Sequence, residues 1–239
     1  MNNLLLDLYN NYWDSFILNE YIPCSNTEHE TAYPFLIKVT QHYIDAQKKI
    51  MICGQETQGW GGIDGRIPPA EKSSTNLIRS IYNGFVNKNE NNKIKKPGYN
   101  SPYWNFIWCI MKAYPDFGFV FQNVVKVGKR HEAGCDDYID KLSQKYFPVF
   151  GEELKILRPD LIVFLTGPNY DERIKYAMGD FEKEQIGDGS ILCDRLKFKN
   201  PDFPSAIRIN HPGWLQRKHK YRIMVDEVIR NIEVFVNSK

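Results

Sequence analysis

The chain is predicted to be an α/β protein, a three-layer αβα arrangement with a central four-stranded parallel sheet. Three observations carry that expectation. Four short, mainly apolar runs, at Ile50–Cys53, Gly118–Val125, Leu161–Leu165 and Ala206–Ile209, are bounded by glycine, proline or charge, as strands buried on both faces are. Stretches with apolar residues at helical spacing lie between them. Strands alternating with helices imply parallel pairing with helices on both faces.

The elements follow in order. Asn3 to Glu20 places Leu4, Leu5, Leu8, Tyr12 and Phe16 at helical spacing, with Asn2 or Asn3 as a candidate cap. A turn is expected around Pro23 and Ser25. Tyr33 to Gln47 reads as a second helix, with Phe35, Leu36, Val39, Tyr43 and Ile44 on its buried face. The first strand follows and breaks at Gly54, so Gln55 and Glu56 are the first side chains outside it. Four glycines and two prolines between Gly59 and Pro69 mark an irregular segment. Ser74 to Val86 resumes helical periodicity, and Asn87 to Asn100, rich in asparagine and lysine, reads as an exposed loop.

Ser101 to Tyr114 is an aromatic helix with Pro102 near its start, where a missing N–H does no harm. The second strand carries one polar misfit, Gln122–Asn123. Asp136 to Leu157 reads as helix with a break near Pro148, and Pro159 stops it. The third strand ends at Thr166 and Gly167. A helix over Asp171 to Met178, a Gly187–Gly189 turn and a short strand near Ile191 to Phe198 come next. The fourth core strand ends in Asn210, His211, Pro212 and Gly213. A last helix spans Lys220 to Val236. There is no internal repeat and no evident linker, so residues 1–239 are expected to form a single domain.

Composition bounds the function classes. Hydrophobic residues at 42% and charged residues at 25% are ordinary for a globular chain. A net charge of +2 does not by itself argue for nucleic acid, so any basic surface must be local. No apolar run reaches the roughly 18 residues of a membrane helix, and no secretory signal is evident, which predicts a cytoplasmic protein with no membrane partner. The five cysteines show no metal-ligand spacing and read as reduced, mostly buried thiols. Neither a structural metal nor a metal cluster is expected, and no cofactor is implied.

Three polar residues sit in or just after otherwise apolar strands: Glu56, Asn123 and His211. In a parallel sheet the carboxyl ends of the strands meet at one edge, where ligands gather. Each residue alone has an ordinary structural explanation: a loop-capping carboxylate, a hydrogen-bonded amide, a packed histidine. Together they supply a carboxylate, an amide and a hydrogen-bond donor.

Four segments in this order resemble the uracil-DNA glycosylase superfamily. GQE at Gly54–Glu56 is similar to its first motif, usually GQDPY or GEAPG. FQNVVK at Phe121–Lys126 resembles the strand that carries its uracil-reading asparagine. LRPDLIVFLTG at Leu157–Gly167 resembles its helix, Arg-Pro and strand segment, and NHPG at Asn210–Gly213 its second motif, usually HPS. The pattern is closest to the iron–sulfur branch but lacks that branch's cysteines, Val127 standing at one such position.

The resemblance implies a uracil-DNA glycosylase-like fold that hydrolyses the N-glycosidic bond of uracil or another altered base flipped from DNA. Glu56 would position a water and offset charge on the sugar. His211 would donate to the base oxygen as negative charge builds. Gln55 and Asn123 would line the base pocket, and Trp60 is a candidate stacking residue, because GRIP at Gly65–Pro68 offers no phenylalanine. Trp214 or Leu215 falls at the intercalating loop. Arg217, Lys218 and Lys220, with His219 and Arg222, would contact phosphates, and Lys126, Lys129, Arg130 and His131 are further candidates for the groove. The partner implied is DNA, single- or double-stranded. An alternative stays open: a catalytically inactive module of the same fold that binds nucleic acid or a nucleotide. An unrelated α/β hydrolase using Glu56 and His211 has no G-x-S-x-G elbow or P-loop to support it.

Overall fold

The apolar runs pair into one sheet. Its strands are β1 (Lys49–Gly54), β2 (Gly118–Asn123), β3 (Leu161–Phe164), β4 (Phe181–Gln185), β5 (Cys193–Phe198) and β6 (Ala206–Ile209), in the order β2-β1-β3-β6-β5-β4. A computed structural model gives these positions and describes residues 1–24, 27–56, 75, 79, 100–130, 134, 136–187, 189 and 192–237. β1 and β3 run parallel, with Ile50 opposite Leu161 and Cys53 opposite Phe164, and β3 and β6 run parallel as well. At one end of the β2–β1 pair the Gly118 N–H donates to Lys48 O at 2.9 Å. At the other the Val125 N–H donates to Gln55 O at 3.0 Å, the same sequence offset, as parallel neighbours require.

The sheet has six strands, not the expected central four. β5 pairs antiparallel with β6, and β4 pairs antiparallel with β5. β4 escapes a search for apolar runs because its sequence is FEKEQ: only Phe181 is buried, and Glu182, Lys183 and Glu184 are exposed. Charge on an edge strand blocks pairing with another chain, so the polar pattern suits the position.

The α-helices whose bounds lie among the described residues are α1 (Asn2–Phe16), α2 (Ile22–Cys24), α3 (Gln41–Asp45), α4 (Pro102–Ala113), α5 (Asp137–Tyr146), α6 (Phe150–Leu157), α7 (Asp171–Met178), α8 (Pro212–Arg217) and α9 (Tyr221–Asn237). A π-helical turn, Ile17–Tyr21, joins α1 to α2, so the chain stays helical through Pro23 where a turn was expected. Asn2 does not cap α1. Its amide holds Val39 instead, Oδ1 accepting the Val39 N–H and Nδ2 donating to Val39 O, both at 3.0 Å.

The expected helix over Tyr33 to Gln47 shrinks to α3. Residues 33–40 form neither helix nor strand: the Phe35 N–H donates to Lys126 O at 2.8 Å, and the Ile37 N–H to the Tyr9 hydroxyl at 3.0 Å. Pro34 lacks an N–H and keeps Tyr33 out of the helical region. Ala32, Tyr33, Phe35, Leu36, Ile37 and Val39 are all buried. Helical spacing was a subset of a run buried at every position but Lys38. Of the expected Ser74–Val86 helix only Thr75 and Arg79 are described, and the 87–99 part of the expected loop lies outside the described residues.

The chain groups into two units. The first comprises Met1–Thr40, Gln55–Val86 and Gln122–Arg158. There α1 buries Leu5, Tyr9, Trp13 and Phe16 along one face, and the Phe16 ring packs 5.1 Å from that of Phe147. The second comprises Gln41–Gly54, Asn87–Phe121 and Pro159–Lys239. In it helices cover both faces of the sheet. On the Ile207 face α9 runs beside the strands, with Asn231, Val234 and Phe235 lining a groove against Leu161 and Ile207. α4 joins it there: the Tyr221 hydroxyl donates to Pro102 O at 3.0 Å and that of Tyr114 to Ile229 O at 2.7 Å. On the opposite face the buried Arg208 pairs with Asp171 at the start of α7 (2.6 Å) and with Asp194.

Glycine is needed where β2 begins. A Cβ on Gly118 would lie 2.9 Å from both Ala46 Cβ and Tyr43 Cα, closer than packed atoms come. Among the described residues no helix is long and apolar enough to cross a membrane. Cys24, Cys53 and Cys193 are buried.

Candidate functional site

β1, β3 and β6 are parallel and in register, so all three end at one edge of the sheet. Glu56 follows β1 by two residues and His211 follows β6 by two. Asn123 is the last residue of β2.

The first unit holds the carboxylate and the amide. Asn123 Nδ2 donates to the Glu56 backbone oxygen at 3.1 Å, so two residues 67 apart in sequence are in direct contact. The Glu56 Oε1 accepts the Gly134 N–H at 2.9 Å. Gln55 contributes its backbone carbonyl to Val125, which ties the end of β1 to the segment after β2. Asn123 is 9% exposed, and its Oδ1 accepts no hydrogen bond among the described residues. A nearly buried amide whose oxygen and second N–H meet no partner among the described residues is equipped to meet a ligand that has both a donor and an acceptor. Gly134 gave no sequence signal: it lies in a loop, and only the fold brings its N–H to Glu56.

The second unit holds the imidazole. His211 is the N-cap of α8, and its Nδ1 accepts the Gly213 N–H at 3.2 Å. Burial lowers the His211 pKa from its ordinary value, and the nearby Arg217 guanidinium lowers it further. The ring is therefore neutral at pH 7, and with Nδ1 accepting, its proton sits on Nε2. Tyr103 lies nearly parallel to it, centroids 5.7 Å apart and planes 12° apart. Sequence reading passed over Tyr103, which looks like any aromatic of α4. Gly213 leaves room for the ring: an added Cβ would sit 3.3 Å from Nδ1.

Where a loop was expected after His211, the chain forms α8. Leu215 is fully buried and serves the core, whereas Trp214 is 39% exposed. Arg217 and Lys218 are exposed and Lys220 is half-buried. These three cations form no ion pair among the described residues.

The second basic group is different. Lys126 is buried and bonds to Glu153 at 2.8 Å, so it cannot reach phosphate. Arg130 pairs with Glu30, and Lys129 lies 4.0 Å from Asp136. Trp60, His131 and Gly65–Pro68 lie outside the described residues. No group of three or more His, Cys, Asp or Glu side chains able to hold a metal ion occurs among the described residues.

The sequence matches no protein-family model, and a search of curated proteins finds no match either.

Proposed function

We propose that the protein is a DNA glycosylase-like hydrolase with a three-layer, uracil-DNA glycosylase-like fold, cleaving the N-glycosidic bond of uracil or another altered base flipped from DNA. The observation that carries this reading is the hydrogen bond from the Asn123 amide to the Glu56 backbone oxygen, which brings the two residues together; the reading takes the amide as the base reader and the Glu56 carboxylate as the acid. Breaking an N-glycosidic bond leaves positive charge on the sugar and negative charge on the departing base. An anion for the first and a donor for the second favour the transition state over the ground state.

In this reading Glu56 offsets the sugar charge and orients water. Asn123 reads the edge of the extruded base, with Gln55 fixing the backbone beside it. His211, neutral and protonated on Nε2, donates to the base oxygen without carrying a full charge that would have to be desolvated first. Base extrusion from the stack needs a wedge, and the exposed Trp214 fits that role. Arg217, Lys218 and Lys220 supply salt-dependent affinity for the phosphate backbone. The buried thiols suit a reducing, cytoplasmic setting.

A second reading, a module that holds a base without cleaving it, draws on one observation. The Glu56 carboxylate already accepts the Gly134 N–H, so part of its capacity to orient water is spent. Incubation with uracil-containing single- and double-stranded DNA, followed by alkaline cleavage at abasic sites, separates the two. The hydrolase reading requires strand cleavage by wild type and a loss of roughly 100-fold or more in Glu56→Gln and in His211→Ala. DNA binding without cleavage, unchanged by Glu56→Gln, would leave the binding module.

A further inference from the structure

In the first unit Gln122, Lys126, Glu153 and Tyr9 form a cluster of polar side chains in which none is more than 4% exposed. Lys126 Nζ donates to Gln122 Oε1 at 2.6 Å and to Glu153 Oε1 at 2.8 Å. Gln122 Nε2 donates to Glu153 Oε2, and the Tyr9 hydroxyl donates to Glu153 Oε1 at 2.6 Å. Stability does not explain such a cluster, because a buried ion pair is commonly no better than apolar side chains of the same volume. What the cluster does hold is one oxygen. Gln122 Oε1 also accepts the backbone N–H of Asn123, at 2.9 Å.

We infer that Gln122, clamped between Lys126 and Glu153, is a positioning residue that fixes the backbone of Asn123 for base recognition. A glutamine side chain has three rotatable bonds and by itself would be a poor anchor. Here both ends of its amide are committed, the oxygen to the ammonium and the nitrogen to the carboxylate, so the oxygen is stationary when it meets the Asn123 N–H. Asn123 is then held twice, through its backbone by Gln122 and through its side chain by the Glu56 carbonyl. Such double support matters because a displacement of about 1 Å at a contact residue costs much of its effect. The inference rests on the reading that Asn123 contacts a base.

The test uses the full chain and two kinds of readout. In the wild-type protein a scalar coupling across the hydrogen bond from Asn123 N to the Gln122 side-chain carbonyl carbon is expected, and its absence overturns the inference without any substitution. In Gln122→Met the Asn123 amide proton is expected to move upfield and to exchange about tenfold faster, which corresponds to about 1.4 kcal/mol. The amides of Ile50–Cys53 should keep their protection. Leu5→Ala, a core substitution with a comparable loss of stability in urea, should leave the Asn123 resonance in place.

Binding supplies the second readout. The preference for a single-stranded oligonucleotide holding one uracil over its thymine counterpart is expected to fall about tenfold in Gln122→Met and at least as far in Asn123→Ala. An unchanged preference in Gln122→Met beside a lost one in Asn123→Ala overturns the positioning role and leaves base reading standing. No preference in wild type, or none lost in Asn123→Ala, overturns base reading itself and with it any role for Gln122 in recognition. The amide coupling and exchange then still decide whether Gln122 fixes Asn123.

Discussion

Glu153 and Glu20 are both fully buried in the first unit, and their surroundings could hardly differ more. Glu153 accepts from Tyr9, Lys126 and Gln122, and one of these partners is a cation 2.8 Å away. Burial pushes its carboxyl up, and the Lys126 ammonium and the hydrogen bonds offset only part of that rise. Glu20 has the Ser143 hydroxyl on Oε1, while its Oε2 has no partner among the described residues. Burial pushes its pKa up to about 8, against the pull of the Ser143 hydrogen bond and with Asp140 adding to the rise. Glu20 is therefore mostly protonated at neutral pH. Burial alone does not set what a carboxyl group does. A countercharge decides whether it becomes the hub of a network or a neutral acid.

The sharpest way to break the contrast is to make Glu153 resemble Glu20. Lys126→Met leaves the carboxylate buried without its cation and is expected to cost about 3–5 kcal/mol in urea unfolding. Adding Glu153→Met should recover most of that loss. A cost below about 1 kcal/mol for Lys126→Met alone would show that the ammonium is not what holds Glu153.

Glu20→Gln tests the other half. The folded pKa is raised, so the unfolded chain ionises first as pH climbs. Stability is then fully present below the unfolded value near 4.5 and falls as pH rises toward about 8. The amide abolishes that slope. Relative to wild type it should gain on the order of 3 kcal/mol at pH 7 and little below pH 4, read from unfolding free energies across pH 4 to 9. Parallel profiles for the two proteins would contradict a protonated Glu20.

The same contrast explains what was legible in the sequence. The core strands were readable because a strand buried on both faces is mainly apolar, as Ile50–Cys53 of β1 and all of β3 are, and β6 is apart from Arg208. β4 was not, because an edge strand exposed along its length reads like a loop. The run through 33–40 imitated a helix because every position in it except Lys38 is buried. Glu56, Asn123 and His211 stood out as polar residues at the ends of apolar runs. The residues that support them did not. Gln122 was visible as a misfit, yet its partners Lys126 and Glu153 looked like ordinary charges in a loop and on a helix, and their inward direction is set by packing far along the chain. For the same reason Lys126 was read as a groove residue. Gly134 and Tyr103 act through contacts that no local pattern encodes.

Base excision is tested most directly by measuring free base released in a single turnover from DNA carrying one uracil, with thymine at the same position as reference. Wild type should liberate uracil and leave thymine in place, and Asn123→Ala should lose at least about tenfold of that rate. Release of neither base, or equal release by wild type and Asn123→Ala, would contradict it.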